Sequence, residues 1–345
     1  MSERRRQYTR TATRERGSQR SVTDEMELES YMSIRIPLIT RKQVAAFLSP
    51  RPHDSHKGQF GTVAVIGGAD GMVGAPLLAA RAALKLGAGS VHVGLLAADA
   101  PSVDIVQPEL MLHNAQDALH LIIDSTRATE NFVIPATAGI QSNKNTGFPP
   151  ARERQVMVVA IGCGMGQDQQ AQKILYQTLK LNVALVLDAD ALNILARHDD
   201  LQKMAAARKA ATVLTPHPGE AARLLDISVE KVQAARPQAA QELAKKFHCS
   251  VVLKGARSLC ITRDGKMHVN NSGNSGMSSA GMGDVLTGMV AAFIAQGMEA
   301  DEALLLAVHL HGAAGDALAQ QGITIGMTAT EVTDWARWLL NQWVK

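Results

Sequence analysis

Apolar residues in this chain fall into short runs separated by glycine turns and by segments rich in small residues. The runs Val63–Gly67, Val91–Leu95, Met157–Gly162, Ala184–Asp188, Thr212–Thr215 and Val251–Lys254 are bounded by Gly, Pro or Asp. Unbroken apolar runs of this length predict strands buried on both faces, because a strand with one wet face alternates instead. The segments between them, such as Pro76–Leu86 and Gly219–Leu225, predict helices. Strand–helix alternation of this kind implies an α/β fold with a mostly parallel central sheet covered on both sides, a three-layer α/β/α arrangement. Leu259–Thr262 and Lys266–Asn270 flank Asp264-Gly265, which predicts a β-hairpin closed by a type I′ turn.

Two stretches break the pattern. The first twenty residues hold seven arginines against Glu3 and Glu15, and the next eleven hold Asp24, Glu25, Glu27 and Glu29 with no base. Four acids argue against a transit peptide, and little here could join a core. Residues 1–33 are therefore expected to be a disordered tail, or an extension ahead of a start at Met32, with one domain over 34–345. The second stretch, 128–155, is rich in Pro, Gly and Asn and lacks clustered ionisable groups, so a passive surface insertion is expected.

Composition narrows the function. AVILMFWYC residues make up 46% of the chain, enough for a large core, but aromatics are only 3%, too few for base stacking. The net charge of +3 is too small for a surface that tracks phosphates, so no nucleic-acid partner is expected. Three cysteines without CxxC or zinc spacing suit a reducing cytosol. With neither a membrane-length apolar run nor an apolar leader, the expectation is a cytoplasmic protein with no membrane contact.

The densest chemistry lies at Asn270–Gly288, NNSGNSGMSSAGMGDVLTG, a glycine-rich loop that enters an apolar helix. Amides of such a loop converge on an anion, phosphate above all. Asp284 there is either an N-cap or a general base beside a transferring phosphoryl group. Glycine turns at Gly67–Gly74 and Gly162–Gly166 also follow strands, and three such turns point to a ligand with several phosphates. The first of these does not match a dinucleotide fingerprint. His217, between Pro216 and Pro218, is a rigid ligand contact or a satisfied structural residue; Glu220 complements a helix dipole or helps hold Mg²⁺. Asp188-Ala189-Asp190 positions a metal or caps a helix. Lys254-Gly255-Ala256-Arg257-Ser258 offers a cation, a close-approach glycine and a hydroxyl to a nucleotide.

Taken in order, GTVAVIGG with a downstream GA, IGxGxG, LDADALN, LTPHPGE, LKGARS and NxSGNSGMxxxGMGDVLTG resemble the ADP/ATP-dependent NAD(P)H-hydrate dehydratases of the ribokinase-like superfamily, from about Ile34 to the C-terminus. The resemblance implies a ribokinase-like fold and a repair lyase that dehydrates the S epimer of hydrated NADH or NADPH at the expense of ADP or ATP, with Mg²⁺. It assigns Ala75, Gly164, His217 and Asp284 to the hydrated dinucleotide, Lys254, Gly255, Ala256, Arg257, Ser258 and Gly283 to the adenine nucleotide, and the base role to Asp284. Cys163 stands where relatives usually have Pro. The resemblance further implies a separate epimerase in the same pathway and a homo-oligomer such as a tetramer. The rival is a small-molecule kinase of the same superfamily acting on a vitamin precursor. Such kinases typically carry Asn where this chain has His217.

Overall fold

The computed structural model describes residues 36–130 and 157–344. Contacts divide the chain into two units, Met1–Pro37 and Leu38–Lys345. Of the first only Ile36 and Pro37 are described, and the architecture below is that of the second. The tail expected over 1–33 lies outside the described residues, as does nearly all of the insertion expected over 128–155. Its first three residues belong instead to the end of a helix that runs to Glu130.

The chain order is α1 (Arg41–Ala45), β1 (Thr62–Gly67), α2 (Gly74–Lys85), β2 (Ser90–Leu95), β3 (Met111–Asn114), α3 (Ala115–Glu130), β4 (Met157–Ile161), α4 (Gln169–Leu179), β5 (Ala184–Leu187), α5 (Ala189–Arg197), α6 (Asp199–Ala206), β6 (Thr212–Leu214), α7 (Pro218–Leu225), α8 (Val229–Ala234), α9 (Arg236–Phe247), β7 (Ser250–Leu253), β8 (Leu259–Ile261), β9 (Met267–Val269), α10 (Met282–Ala295), α11 (Ala300–Gln320) and α12 (Ala329–Trp343). The nine strands form one sheet in the order β3-β2-β1-β4-β5-β6-β7-β8-β9, parallel from β3 to β7 and antiparallel through β8 and β9.

Alternate residues of the central strands pack to opposite sides. Val63, Val65, Val158, Ala160 and Val186 join the core under α2, α10, α11 and α12, while Ala64, Ile66, Val159, Ile161 and Leu185 are equally buried on the other face. This is the three-layer α/β/α arrangement that the unbroken apolar runs imply. α10 is apolar on all sides, with 12 of its 14 residues buried, so it must lie inside the structure. Its neighbour α2 approaches so closely that a Cβ at Gly288 would meet the Ala79 carbonyl oxygen at 2.0 Å. Small residues thus do the packing that the scarce aromatics cannot.

The hairpin turn differs from expectation. Asp264 keeps a negative φ, and only Gly265 is left-handed, at +83°. Gly265 N–H donates to Thr262 O at 2.8 Å and Thr262 N–H to Lys266 O at 2.9 Å. The connection is therefore a three-residue loop with a glycine bulge, not a type I′ turn. The edge strand β3 (MLHN) was also not foreseen, being half exposed and only four residues long.

Candidate active site

From β1 and β4, which are neighbours, the strand order runs outward in both directions. Such a switch point leaves a crevice at the carboxyl ends of the strands, and two of the glycine turns occupy it. They are hydrogen-bonded to each other: Gly68 N–H donates to Cys163 O at 3.1 Å and Ala69 N–H to Gly164 O at 2.7 Å. Gly164 has φ +56°, and a Cβ there would lie 2.9 Å from Met72 and 3.1 Å from the Ala75 methyl. Ala75 and Gly164 are thus brought face to face. Asp190 secures the turn from below by accepting from Gly166 N–H at 3.0 Å and Gln167 Nε2 at 2.9 Å.

The third element is the amino end of α10. Its N-cap is Gly281, left-handed at φ 88°, and no side chain caps the helix. Asp284 is the third residue of the helix, so the N-cap reading is corrected. The preceding loop is tied back to α11. Asp316 accepts from Gly273 N–H at 2.9 Å and Asn274 Nδ2 at 3.0 Å, and Ser272 Oγ donates to His309 O at 3.0 Å. Burial pushes the Asp284 carboxyl up to about 6; a hydrogen bond from the Cys163 thiol opposes this, Asp188 adds to it and Lys254 opposes it. A carboxylate poised near working pH in a crevice is suited to proton abstraction.

Beside this lies an ion-paired cluster. Asp188, 1% exposed, follows β5 at an N-cap position but caps nothing. Its carboxylate accepts from Lys254 Nζ at 2.6 Å and from Thr287 Oγ1 at 2.8 Å, joining β5, β7 and α10. Lys254 Nζ also lies 3.9 Å from Glu220 Oε2. Burial works against the Lys254 charge, but Asp188 and Glu220 outweigh it and hold its pKa above the ordinary value. Glu220, 4% exposed, is pushed by burial up to about 7 despite Lys254. Its Oε2 accepts from His217 N–H at 2.8 Å and its Oε1 lies 3.2 Å from His217 Nε2. His217 caps α7, with Nδ1 accepting from Gly219 N–H at 3.0 Å. Burial, then Lys254 and Arg223, lower the His217 pKa, so its ring is neutral near pH 7.

Several expected ligand residues therefore hold each other. Lys254 turns away from its own loop toward Asp188, and Gly283 sits over the pair: a Cβ there would be 3.3 Å from Lys254 Nζ and 3.6 Å from Asp188 Oδ2. Both Glu220 oxygens are engaged, which leaves it poorly placed as a metal ligand. Among the described residues no group of three or more His, Cys, Asp and Glu side chains is set to hold a metal ion. Gly255, Ala256 and Arg257 are exposed, and Ser258 Oγ donates to Gly255 O at 3.0 Å, so this turn stands open on the surface beyond the cluster. Beneath it the buried Arg236 guanidinium packs against Gly255. Thr287 and Arg236 escaped sequence reading, and Cys163 was read only as a departure from the Pro of relatives. Only Thr287 carried a signal, one helical turn from Gly283.

A sequence profile described as NAD(P)H-hydrate dehydratase matches residues 63–337, which take in every part of this crevice. The chain belongs to that family. A relative from Neisseria meningitidis, an ADP-dependent (S)-NAD(P)H-hydrate dehydratase, is 39% identical over 299 residues, covering 86% of this chain and 90% of its own length. The bifunctional NAD(P)H-hydrate repair enzyme of Coxiella burnetii is 36% identical over 304 residues, and the match spans 55% of that longer protein. Among solved structures, the ADP/ATP-dependent NAD(P)H-hydrate dehydratase of Bacillus subtilis, co-crystallised with ATP/Mg²⁺, aligns over 90% of this chain and 99% of its own with a TM-score of 0.70 and 26% identity. The ribokinase-like architecture implied by the motifs is the one found.

Proposed function

We propose that this protein dehydrates the S epimer of hydrated NADH and NADPH, using ADP or ATP. The observation that carries the reading is Asp284, a half-buried carboxyl with a raised pKa on the uncapped first turn of α10, facing the crevice of the glycine turns. The ring hydroxyl of the hydrate is a poor leaving group. Asp284 takes its proton as the hydroxyl oxygen bonds to the terminal phosphorus of the nucleotide, and the bridging P–O bond breaks to release AMP from ADP or ADP from ATP. The α10 amides hold the phosphoryl oxygens meanwhile. The ring nitrogen lone pair then expels phosphate with cleavage of the C–O bond, and loss of a ring proton restores the dihydronicotinamide.

Ala75, Gly164 and the exposed half of His217 are assigned to the hydrate; Gly283 and the turn Gly255–Ser258 to the nucleotide, with Lys254 acting through Asp188. Mg²⁺, when bound with the nucleotide, would neutralise phosphate charge. Because only one epimer is consumed, an epimerase activity is the expected partner in the pathway. A cytoplasmic homo-oligomer is the expected state.

Thermal protection tests the reading without turnover, since a ligand bound only to the native state raises stability. Hydrated NADH and ADP or ATP should each protect the wild type. His217→Ala should lose protection by the hydrate and keep that by nucleotide. Phosphorylation of a vitamin alcohol, with no protection by hydrated NADH, would favour the kinase instead.

A further inference from the structure

α9 begins on a cation that the helix itself opposes. Arg236 is its first residue, where the peptide dipoles add positive potential, and neither a first-turn acid nor a side-chain cap offsets it. The residue is only 6% exposed. Among the described residues no carboxylate lies within ion-pair distance of its guanidinium. Its partners are neutral and far: Nη1 lies 3.4 Å from Gln233 Oε1 and Nη2 lies 3.5 Å from Leu253 O, while Nε is buried with no partner. Arg208 shows the contrast, donating to Leu179 O at 2.7 Å and Leu181 O at 2.8 Å as a structural arginine does. A buried charge is costly unless paired, so Arg236 is poorly explained by packing alone.

Its position selects the anion it serves. The guanidinium lies directly against the backbone of Gly255, where a Cβ would be 2.7 Å from Nη1 and 3.2 Å from Nη2. Glycine at this place, with φ +138°, lets the charge come up to the underside of the turn. The other side of the turn, from Gly255 to Arg257, is exposed. Resting on the assignment of Gly255–Ser258 to the nucleotide, we propose that Arg236 is an electrostatic determinant of nucleotide affinity. From beneath Gly255 its charge, added to the amino end of α9, draws the nucleotide phosphates onto the turn. It acts across one layer of backbone, as a field, and burial spares that field much of the screening that weakens a surface cation. Bound phosphate in turn supplies the negative charge that the surrounding side chains do not.

The test titrates adenosine, AMP and ADP, without Mg²⁺, into wild type, Arg236→Met and Arg236→Lys. Met keeps most of the volume and removes the charge; Lys keeps the charge and removes the planar fork. Arg236→Met should bind ADP about tenfold more weakly, the order expected for one partly screened charge. The loss should shrink from ADP to AMP and vanish for adenosine, which keeps the base and ribose without the charge. Arg236→Lys should stay much closer to wild type across the series. Should Arg236→Met fold poorly, Arg236→Gln, uncharged but polar, takes its place with the same expectation. Equal weakening of all three ligands would make the arginine a packing residue under the turn and overturn the proposal, as would an unchanged ADP affinity. The amide NMR shifts of Gly255 and Ala256 separate this from the reading beneath it. If ADP moves them while Arg236→Met keeps wild-type affinity, the proposal alone fails. If ADP leaves them unmoved, the placement of the nucleotide fails and the proposal with it.

Discussion

Two halves of the crevice handle polar groups in opposite ways. Around Asp188 nearly every charged atom has a partner: Lys254 and Thr287 on Asp188, His217 on Glu220, Gly219 N–H on His217. At the amino end of α10 the first-turn amides have no side-chain cap, and Asp284 sits among them with a pKa displaced toward neutrality. Paired charges hold geometry, and an uncapped helix start attracts anions. The site thus divides into a frame and a working edge, and variants in the two halves should fail differently.

The largest effect is expected at the working edge. Asp284→Asn should lower turnover by about 10²–10⁴-fold with little change in nucleotide affinity. Its stability should move the other way. A carboxyl whose folded pKa, about 6, exceeds its unfolded one binds its proton more tightly when folded, so stability falls as pH rises through that window. Removing the charge should leave the variant as stable as wild type or more so above pH 6, measured by denaturant unfolding at pH 5 and pH 8.

In the frame, Asp188→Ala should unfold more easily by about 3 kcal/mol, because Lys254 keeps only Glu220, 3.9 Å away, and Thr287 loses its acceptor. Adding Lys254→Met should recover much of the loss. If the two changes simply add, the pair is not coupled and the frame reading fails.

Activity against pH separates the halves again. The acid limb should fall as pH drops through about 6, where Asp284 protonates. In Asp284→Asn, whatever activity is left should lack that limb. A limb that survives in Asp284→Asn would place the essential titration on another group, with Glu220, at about 7, the first to examine. The smallest effect on stability is expected at His217→Ala, where loss of the α7 cap costs about 1 kcal/mol, while protection by the hydrate is lost and that by nucleotide persists.

How much of this was legible in the chain follows the same division. The strands β1, β4, β5 and β7 were readable to within a residue or two, since a doubly buried strand has to be an unbroken apolar run. The working edge was readable too, because glycine loops and an apolar helix are local signals. The frame was not. Lys254 and Asp188 are 66 residues apart, and nothing local says that the lysine turns inward. His217 was read as held between two prolines, but its cap and its pairing with Glu220 emerge only once α7 starts at Pro218. β3 escaped because a half-exposed edge strand carries neither an apolar run nor clean alternation.

The central claim is that Asp284, on the open turn of α10, deprotonates a ring hydroxyl that a nucleotide then phosphorylates. Its most direct test is recovery of dihydronicotinamide absorbance from hydrated NADH by wild type and Asp284→Asn, with ADP or ATP supplied in turn and nucleotide breakdown followed in the same tube. The account predicts recovery in wild type matched mole for mole by AMP or ADP released, and both slowed together by at least about 10²-fold in Asp284→Asn. Near-normal recovery in Asp284→Asn, or recovery in wild type without nucleotide breakdown, would contradict it.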